Sequence, residues 1–126
     1  MGREIKFRFW TGTQMESWDH AKAWSGLGHY LEHHNEYIPM QYTGLKDKNG
    51  KEIYELDIIH YNRGYVDDSI NDFKQGLNYV IVFRQGSFYP YNENKKYQLG
   101  LSSAKDGIIP NYEVIGNIYE HPDLIK

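Results

Sequence analysis

The sequence predicts a small, mainly β fold, and three observations carry the prediction. Ile5, Phe7 and Phe9 alternate with Lys6, Arg8 and Trp10, the period-2 pattern of a half-buried strand. Tyr79-Val80-Ile81-Val82-Phe83 is a short apolar run of the kind that sits inside a sheet. Aromatic residues make up 16% of the chain, carried mainly by 12 Tyr, a side chain that favours pleated, half-buried surfaces.

Taken in order, the first strand runs through Ile5 to Trp10, Thr11-Gly12-Thr13 turns the chain, and Met15 to Trp18 returns as a short second strand. Asp19 is the expected N-cap of a helical turn through Trp24, with Gly26 or Gly28 ending it. Tyr30 to Tyr37 is polar, rich in His and without an apolar stripe, so it reads as a loop or a short exposed helix ended by Pro39. Met40 to Thr43 opens another strand. Asp47-Lys48-Asn49-Gly50-Lys51 is a tight turn in which Asn49-Gly50 supplies positive-φ conformations. Ile53-Tyr54 and then Asp57 to Tyr61 follow as strands, Asp57 holding a turn through backbone hydrogen bonds. Asn62 to Gly76 is a polar excursion. Tyr79 to Phe83 is the central strand, and Arg84-Gln85-Gly86 turns into Ser87 to Tyr89. Pro90 to Pro110 is polar again, with a short apolar piece at Leu99 to Leu101. Glu113 to Tyr119 is the last strand, and Pro122 starts a C-terminal helical cap. About five or six short strands joined by polar loops describe one small barrel or sandwich spanning residues 1–126.

Composition narrows the function. The 126 residues suit one domain with its own core. Cys is absent, which removes disulfides, thiolate nucleophiles and Cys-based metal centres. The start lacks the apolar core of a secretory signal, and no run approaches the roughly 20 apolar residues that cross a bilayer, so the expected compartment is the cytoplasm. A net charge of −3 runs against charge-driven wrapping of duplex nucleic acid.

At Met40 to Glu55 (MQYTGLKDKNGKEIYE) the sequence resembles the central signature of the YopX-like family of phage and prophage proteins. Arg3 to Arg8 with Trp10 resembles the family's opening strand, and Tyr112 to Glu120 (YEVIGNIYE), with Pro122 and Leu124, its closing one. Together the blocks cover about a third of the chain and fall in the right order. Gly44, Asp47, Asn49, Gly50, Tyr54, Asp57 and Gly116 are the positions that this resemblance marks as structural. Leu56 departs from it, standing where the family pattern has a Gly that would permit a tight positive-φ turn. Leu56 implies either a more ordinary backbone or strain. The resemblance implies an SH3-like, strongly bent β-barrel and an accessory protein of temperate phages or integrated elements in a bacterial host. It implies no activity and no catalytic residue.

Four groups of residues invite chemical readings. His29-Tyr30-Leu31-Glu32-His33 matches the H-x-x-E-H pattern of a metal-dependent hydrolase, with His29 and His33 as ligands and Glu32 as general base. Set against that are poor helical amphipathicity and no evident third ligand, so metal binding through His29, His33 and His34 without catalysis ranks above a hydrolase. Glu55, Asp57, Asp67, Asp68 and Asp72 read as turn and loop carboxylates rather than an acid–base pair. The calcium-loop reading of Asp47 to Gly50 fails on spacing, because Lys51 stands where an oxygen ligand belongs. Lys6, Arg8 and Trp10 on one strand face could combine charge with stacking for single-stranded nucleic acid. Neither G-x-G-x-x-G nor a P-loop occurs, and no cofactor is expected.

The leading expectation is therefore a non-enzymatic binding module that engages a host or phage protein, or copies of itself, through exposed aromatic surface. Single-stranded nucleic-acid binding ranks second, and the hydrolase third.

Overall fold

The computed structural model describes residues 4–24, 28–29, 32–33, 36–61, 78–92 and 107–125. Among these residues the fold is mainly β, as the sequence predicts, with eight strands rather than five or six. The chain divides into two compact units, Met1–Tyr42 and Thr43–Lys126.

In the first unit β1 (Phe7–Trp10) pairs antiparallel with both β2 (Met15–Glu16) and the first half of β3 (Ile38–Lys46). Phe9 faces Glu16 on one side and Pro39 on the other. Pro39 therefore lies inside a strand instead of ending the preceding segment. Among the described residues β3 is paired here with β1 alone, so a residue without an N–H costs the ladder little. Helix α1 (Trp18–Trp24) begins two residues earlier than expected. Its cap is Ser17, whose Oγ accepts the His20 N–H at 3.1 Å, and Asp19 lies within the first turn. Phe9 and Ala21 are buried together, with Phe7 and Tyr37 packed against them. The Phe7 and Trp18 rings sit 6.3 Å apart.

In the second unit the end of β3 pairs with β4 (Glu52–Tyr54), and β5 (Asp57–Tyr61), β6 (Asn78–Arg84), β7 (Ser87–Tyr91) and β8 (Tyr112–Asn117) form an antiparallel sheet in the order β7-β6-β5-β8. The sheet is strongly curled. A bulge between Ile58 and Ile59 bends β5 against β8, and Lys46 meets Ile108 in a parallel bridge. Ile53, Ile59, Tyr61, Tyr79, Ile81, Ile109, Tyr112 and Val114 fill the core. β6 is an inner strand, as its apolar run predicts. β7 reaches Tyr91, two residues past the expected end, with Pro90 buried inside it. A short 3₁₀ helix over Pro122–Ile125 closes the chain.

Leu56 resolves toward strain. Its φ is 67°, the left-handed conformation that Gly takes without cost. That conformation turns its N–H onto the Ile81 carbonyl at 2.7 Å and its carbonyl toward the Ile118 N–H at 3.2 Å, so one residue ties the β4–β5 corner to both neighbours of β5. The glycine-like turn survives without the glycine. The expected excursions at 62–76 and 99–101, with Asp67, Asp68 and Asp72, lie outside the described residues.

Candidate functional site: signature frame and exposed hairpin

The signature residues are tied to backbone groups. Asp47 is 1% exposed, and its carboxylate accepts three N–H groups. Oδ1 takes those of Asn49 and Lys51, each at 2.9 Å, and Oδ2 takes that of Val114 on β8, also at 2.9 Å. Lys48 N–H adds a bond to the Tyr112 carbonyl at 2.9 Å. One carboxylate therefore shapes the β3–β4 turn and covers the outer edge of β8. Within that turn the positive φ belongs to Gly50 (82°) and not to Asn49, because the Asp47 side chain already sets the Asn49 backbone. Gly44, with φ of 87°, bends β3, and Thr43 Oγ1 donates to the Ile53 carbonyl across the hairpin at 2.7 Å. Asp57 accepts the Tyr54 N–H at 2.7 Å, the turn-holding role expected of it.

The closing block works the same way. A Cβ on Gly116 would lie 2.5 Å from Nδ1 of His121, so the imidazole occupies the space that only glycine leaves open. His121 Nδ1 accepts the Asn117 N–H at 3.2 Å, which places the ring proton on Nε2. Asn117 Oδ1 accepts the Tyr119 and Glu120 N–H groups, and its Nδ2 donates to Glu120.

The sequence-predicted surface residues fare differently. Lys6 and Arg8 share a face with Tyr42 and Met40. The Lys6 ammonium lies 5.0 Å from the centre of the Tyr42 ring and 3.6 Å from Glu4, and its side chain is only 14% exposed. The Arg8 Nη2 approaches Met40 Sδ at 3.7 Å. Both cations are thus packed along the sheet, and Trp10 is half-buried beside them. His29, Glu32 and His33 are exposed, with the two imidazole centres 4.6 Å apart. His34 lies outside the described residues, and among those described no three His, Asp or Glu side chains converge on a metal-sized space.

The Tyr content has two uses. Tyr42, Tyr54, Tyr61, Tyr79 and Tyr112 are buried. Tyr112 lies 5.3 Å from Tyr61 ring to ring, and burial, with Tyr61 and Tyr79 adding to it, pushes its phenol well above the ordinary range. Much of the aromatic excess is therefore core. A different aromatic group is at the surface, on residues that no motif marks. The β6–β7 hairpin turns through Gln85 (φ 52°) and Gly86 (φ 82°), the paired left-handed geometry of a two-residue hairpin. Beside the turn Phe83 is 48% exposed and packs against Phe88, centres 4.8 Å apart and planes tilted by 55°. On the opposite face the Arg84 guanidinium lies 5.0 Å from the centre of the Tyr91 ring, with Tyr89 half-buried nearby. Phe83 continues the Tyr79, Ile81 face of β6 past the end of the core, which is why an apolar strand pattern concealed it.

Among the described residues β7 is an edge strand of the sheet, paired only with β6. Counting from the two-residue turn, Arg84 and Ser87 form a hydrogen-bonded pair, so the pair Ile81 and Pro90 is non-bonded and the outward position at Pro90 has no donor. An added strand would find the ladder interrupted there, which leaves side chains as the means of contact.

Comparison with known proteins places these observations in context. The YopX protein family profile matches residues 12–126. A plant protein described as an NADH-cytochrome b5 reductase-like protein, from Arabidopsis thaliana, is 27% identical over 97 residues. The match takes in 77% of this chain but only 29% of that protein's length. Among solved structures, the crystal structure of protein EF1440 from Enterococcus faecalis superposes with a TM-score of 0.57 at 24% identity, covering 99% of this chain and 100% of the other, a likeness of fold.

Proposed function

The chain belongs to the YopX family, and from that footing we propose that it is a non-enzymatic binding module whose contact surface is the aromatic end of the β6–β7 hairpin. The observation that carries this reading is the Phe83–Phe88 pair, a tilted pair of packed rings left 48% open at Phe83 beside a two-residue turn. Aromatic anchors on stiff elements are the usual centres of protein interfaces, because their area is gained at small entropic cost. Covering the half of such a ring that is still open contributes about 1 kcal/mol. Arg84, stacked on Tyr91, supplies a cation at the rim.

The signature residues support the same reading from the other side. Asp47, Asp57 and Asn117 are engaged by backbone N–H groups, so they act as framework. The partner in this proposal is a host or phage protein met in the cytoplasm of a bacterium carrying the element, and its hairpin contact is made side chain to side chain. The test is a pull-down from bacterial lysate, with and without nuclease treatment, using wild type and Phe83→Ser and read by mass spectrometry. A partner recovered by wild type and lost by Phe83→Ser, with unchanged circular dichroism, supports the module. Equal recovery by both removes the hairpin as the surface, and recovery that nuclease abolishes replaces it with nucleic-acid binding.

A further inference from the structure

The face of the β6–β7 hairpin turned away from the core offers a surface of a different kind, beyond the contact proposed above. Val80, Val82 and Arg84 alternate along β6 with the core residues Tyr79 and Ile81, and Tyr91 and Tyr89 lie across from the two valines on β7. Both valines and both tyrosines are half-buried, and Arg84 is exposed. The Arg84 guanidinium lies 5.0 Å from the centre of the Tyr91 ring, which holds a planar cation against the sheet. Tyr89 and Tyr91 are two positions apart on one strand, so they stand about 6.6 Å apart along it, far enough for each ring to meet its own planar group. Arg84 is the one charged residue from Asn78 to Asn92, which makes the hairpin a cationic element in a chain of net charge −3.

An occupant suited to this face brings flat, π-rich groups and negative charge together. Phosphate-linked bases do so at every repeat, whereas an acidic peptide needs an aromatic side chain at each position to match them. We propose that Arg84, Tyr89 and Tyr91 form a stacking platform for single-stranded nucleic acid. Bases stack on the tyrosine rings and on the guanidinium plane, and the Arg84 N–H groups reach a phosphate. Bases already stacked and paired in a duplex do not offer these faces, so the platform selects single strands. With one cation engaged, affinity should fall only about 2–3-fold between about 50 and 200 mM salt, because the log–log slope for a single strand is about −0.7 per phosphate neutralised. Stacking carries the contact more than charge does, which suits a chain of negative net charge.

The experiment is titration of the full chain with a short oligothymidylate, followed by two-dimensional NMR, against an abasic strand of equal length and a duplex. Wild type is compared with Arg84→Ala, Tyr89→Ala, Tyr89→Phe and Lys48→Ala. Lys48 is the control for lost charge, since its ammonium lies 3.8 Å from Glu113 on another part of the sheet. The expected result is saturable binding of oligothymidylate with Kd below about 1 mM, weakened at least about fivefold by Arg84→Ala and by Tyr89→Ala. Tyr89→Phe, which keeps the ring, and Lys48→Ala should bind as wild type does. Because Arg84 is exposed, its variant tests the platform even if Tyr89→Ala disturbs the strand. Absence of saturable binding below about 1 mM would overturn the proposal, as would equal affinity for the abasic strand or the duplex, or full affinity in Arg84→Ala.

Discussion

Replacing Asp47 by Ala removes an acceptor from three backbone N–H groups at once, and the cost can be worked from their surroundings. Asn49 and Lys51 are exposed, so water can take over their donors, and each lost bond costs about 0.5 kcal/mol, the low end for a net hydrogen bond. The Val114 N–H belongs to a buried residue. Losing its carboxylate partner leaves a desolvated donor, a penalty of about 2–3 kcal/mol. The sum is about 3–4 kcal/mol, a large share of the roughly 5–15 kcal/mol that stabilises a whole domain. For a chain of this length the thermal midpoint should fall by about 10–15 °C. Asp47→Asn retains one acceptor oxygen but turns an NH₂ toward either the turn or Val114, so it should lose about 2 kcal/mol. Urea unfolding followed by tryptophan fluorescence and circular dichroism measures both, and amide exchange at Val114 locates the effect. A loss below about 1 kcal/mol for Asp47→Ala, or undiminished protection of the Val114 amide, would mean that the Asp47 carboxylate does not secure the last strand. The turn would then stand on the Asp47–Lys51 and Gly50–Asp47 backbone bonds alone.

Three further outcomes follow from the same geometry. Gly116→Ala should destabilise by about 1–3 kcal/mol through its clash with the His121 ring, and should cost much less in a His121→Ala background; a double-mutant cycle by urea denaturation reads the coupling. Leu56→Gly should be neutral or stabilising by up to about 1 kcal/mol, because relieved left-handed strain offsets the lost half-buried side chain, whereas Leu56→Val should destabilise by about 1–2 kcal/mol; thermal melts of both variants decide it. Tyr112 keeps its proton in the folded chain at pH values where the unfolded phenol ionises, so the unfolded state binds fewer protons and stability falls as pH rises above about 10. Tyr112→Phe should flatten that alkaline loss, measured by urea midpoints between about pH 9 and 11.5.

Alternation and turn chemistry made most strands legible in the sequence. The side-chain period of 2 at Phe7 to Trp10 and the apolar run at Tyr79 to Phe83 report burial directly, and Gly50 and Gly86 report left-handed backbone. What stayed hidden depends on tertiary neighbours. Pro39 and Pro90 look like strand breakers until one knows that β3 is paired on one side there and that β7 is an edge. Asp47 looked like a turn residue only, since nothing local shows that its second oxygen meets Val114, 67 positions away. Gly116 was recognisable from family resemblance, while its reason, the His121 ring, needed coordinates. Lys6 and Arg8 read as one basic strand face with Trp10 because sequence shows which residues alternate, not what packs beside them. The exposure of Phe83 is hidden for the matching reason: it ends an apolar run whose strand continues past the core it helps to build.

The bond between Asp47 and Val114 also bears on how the second unit comes together. It clasps the β3–β4 turn to the last strand across 67 positions of sequence. The entropy of closing a loop grows with the logarithm of its length, about 0.6 kcal/mol for each doubling, so such a contact is costlier to close than the local bonds of the turn itself. The β3–β4 turn is thus completed only once the last strand lies beside it, and one side chain makes the beginning of the second unit depend on its end.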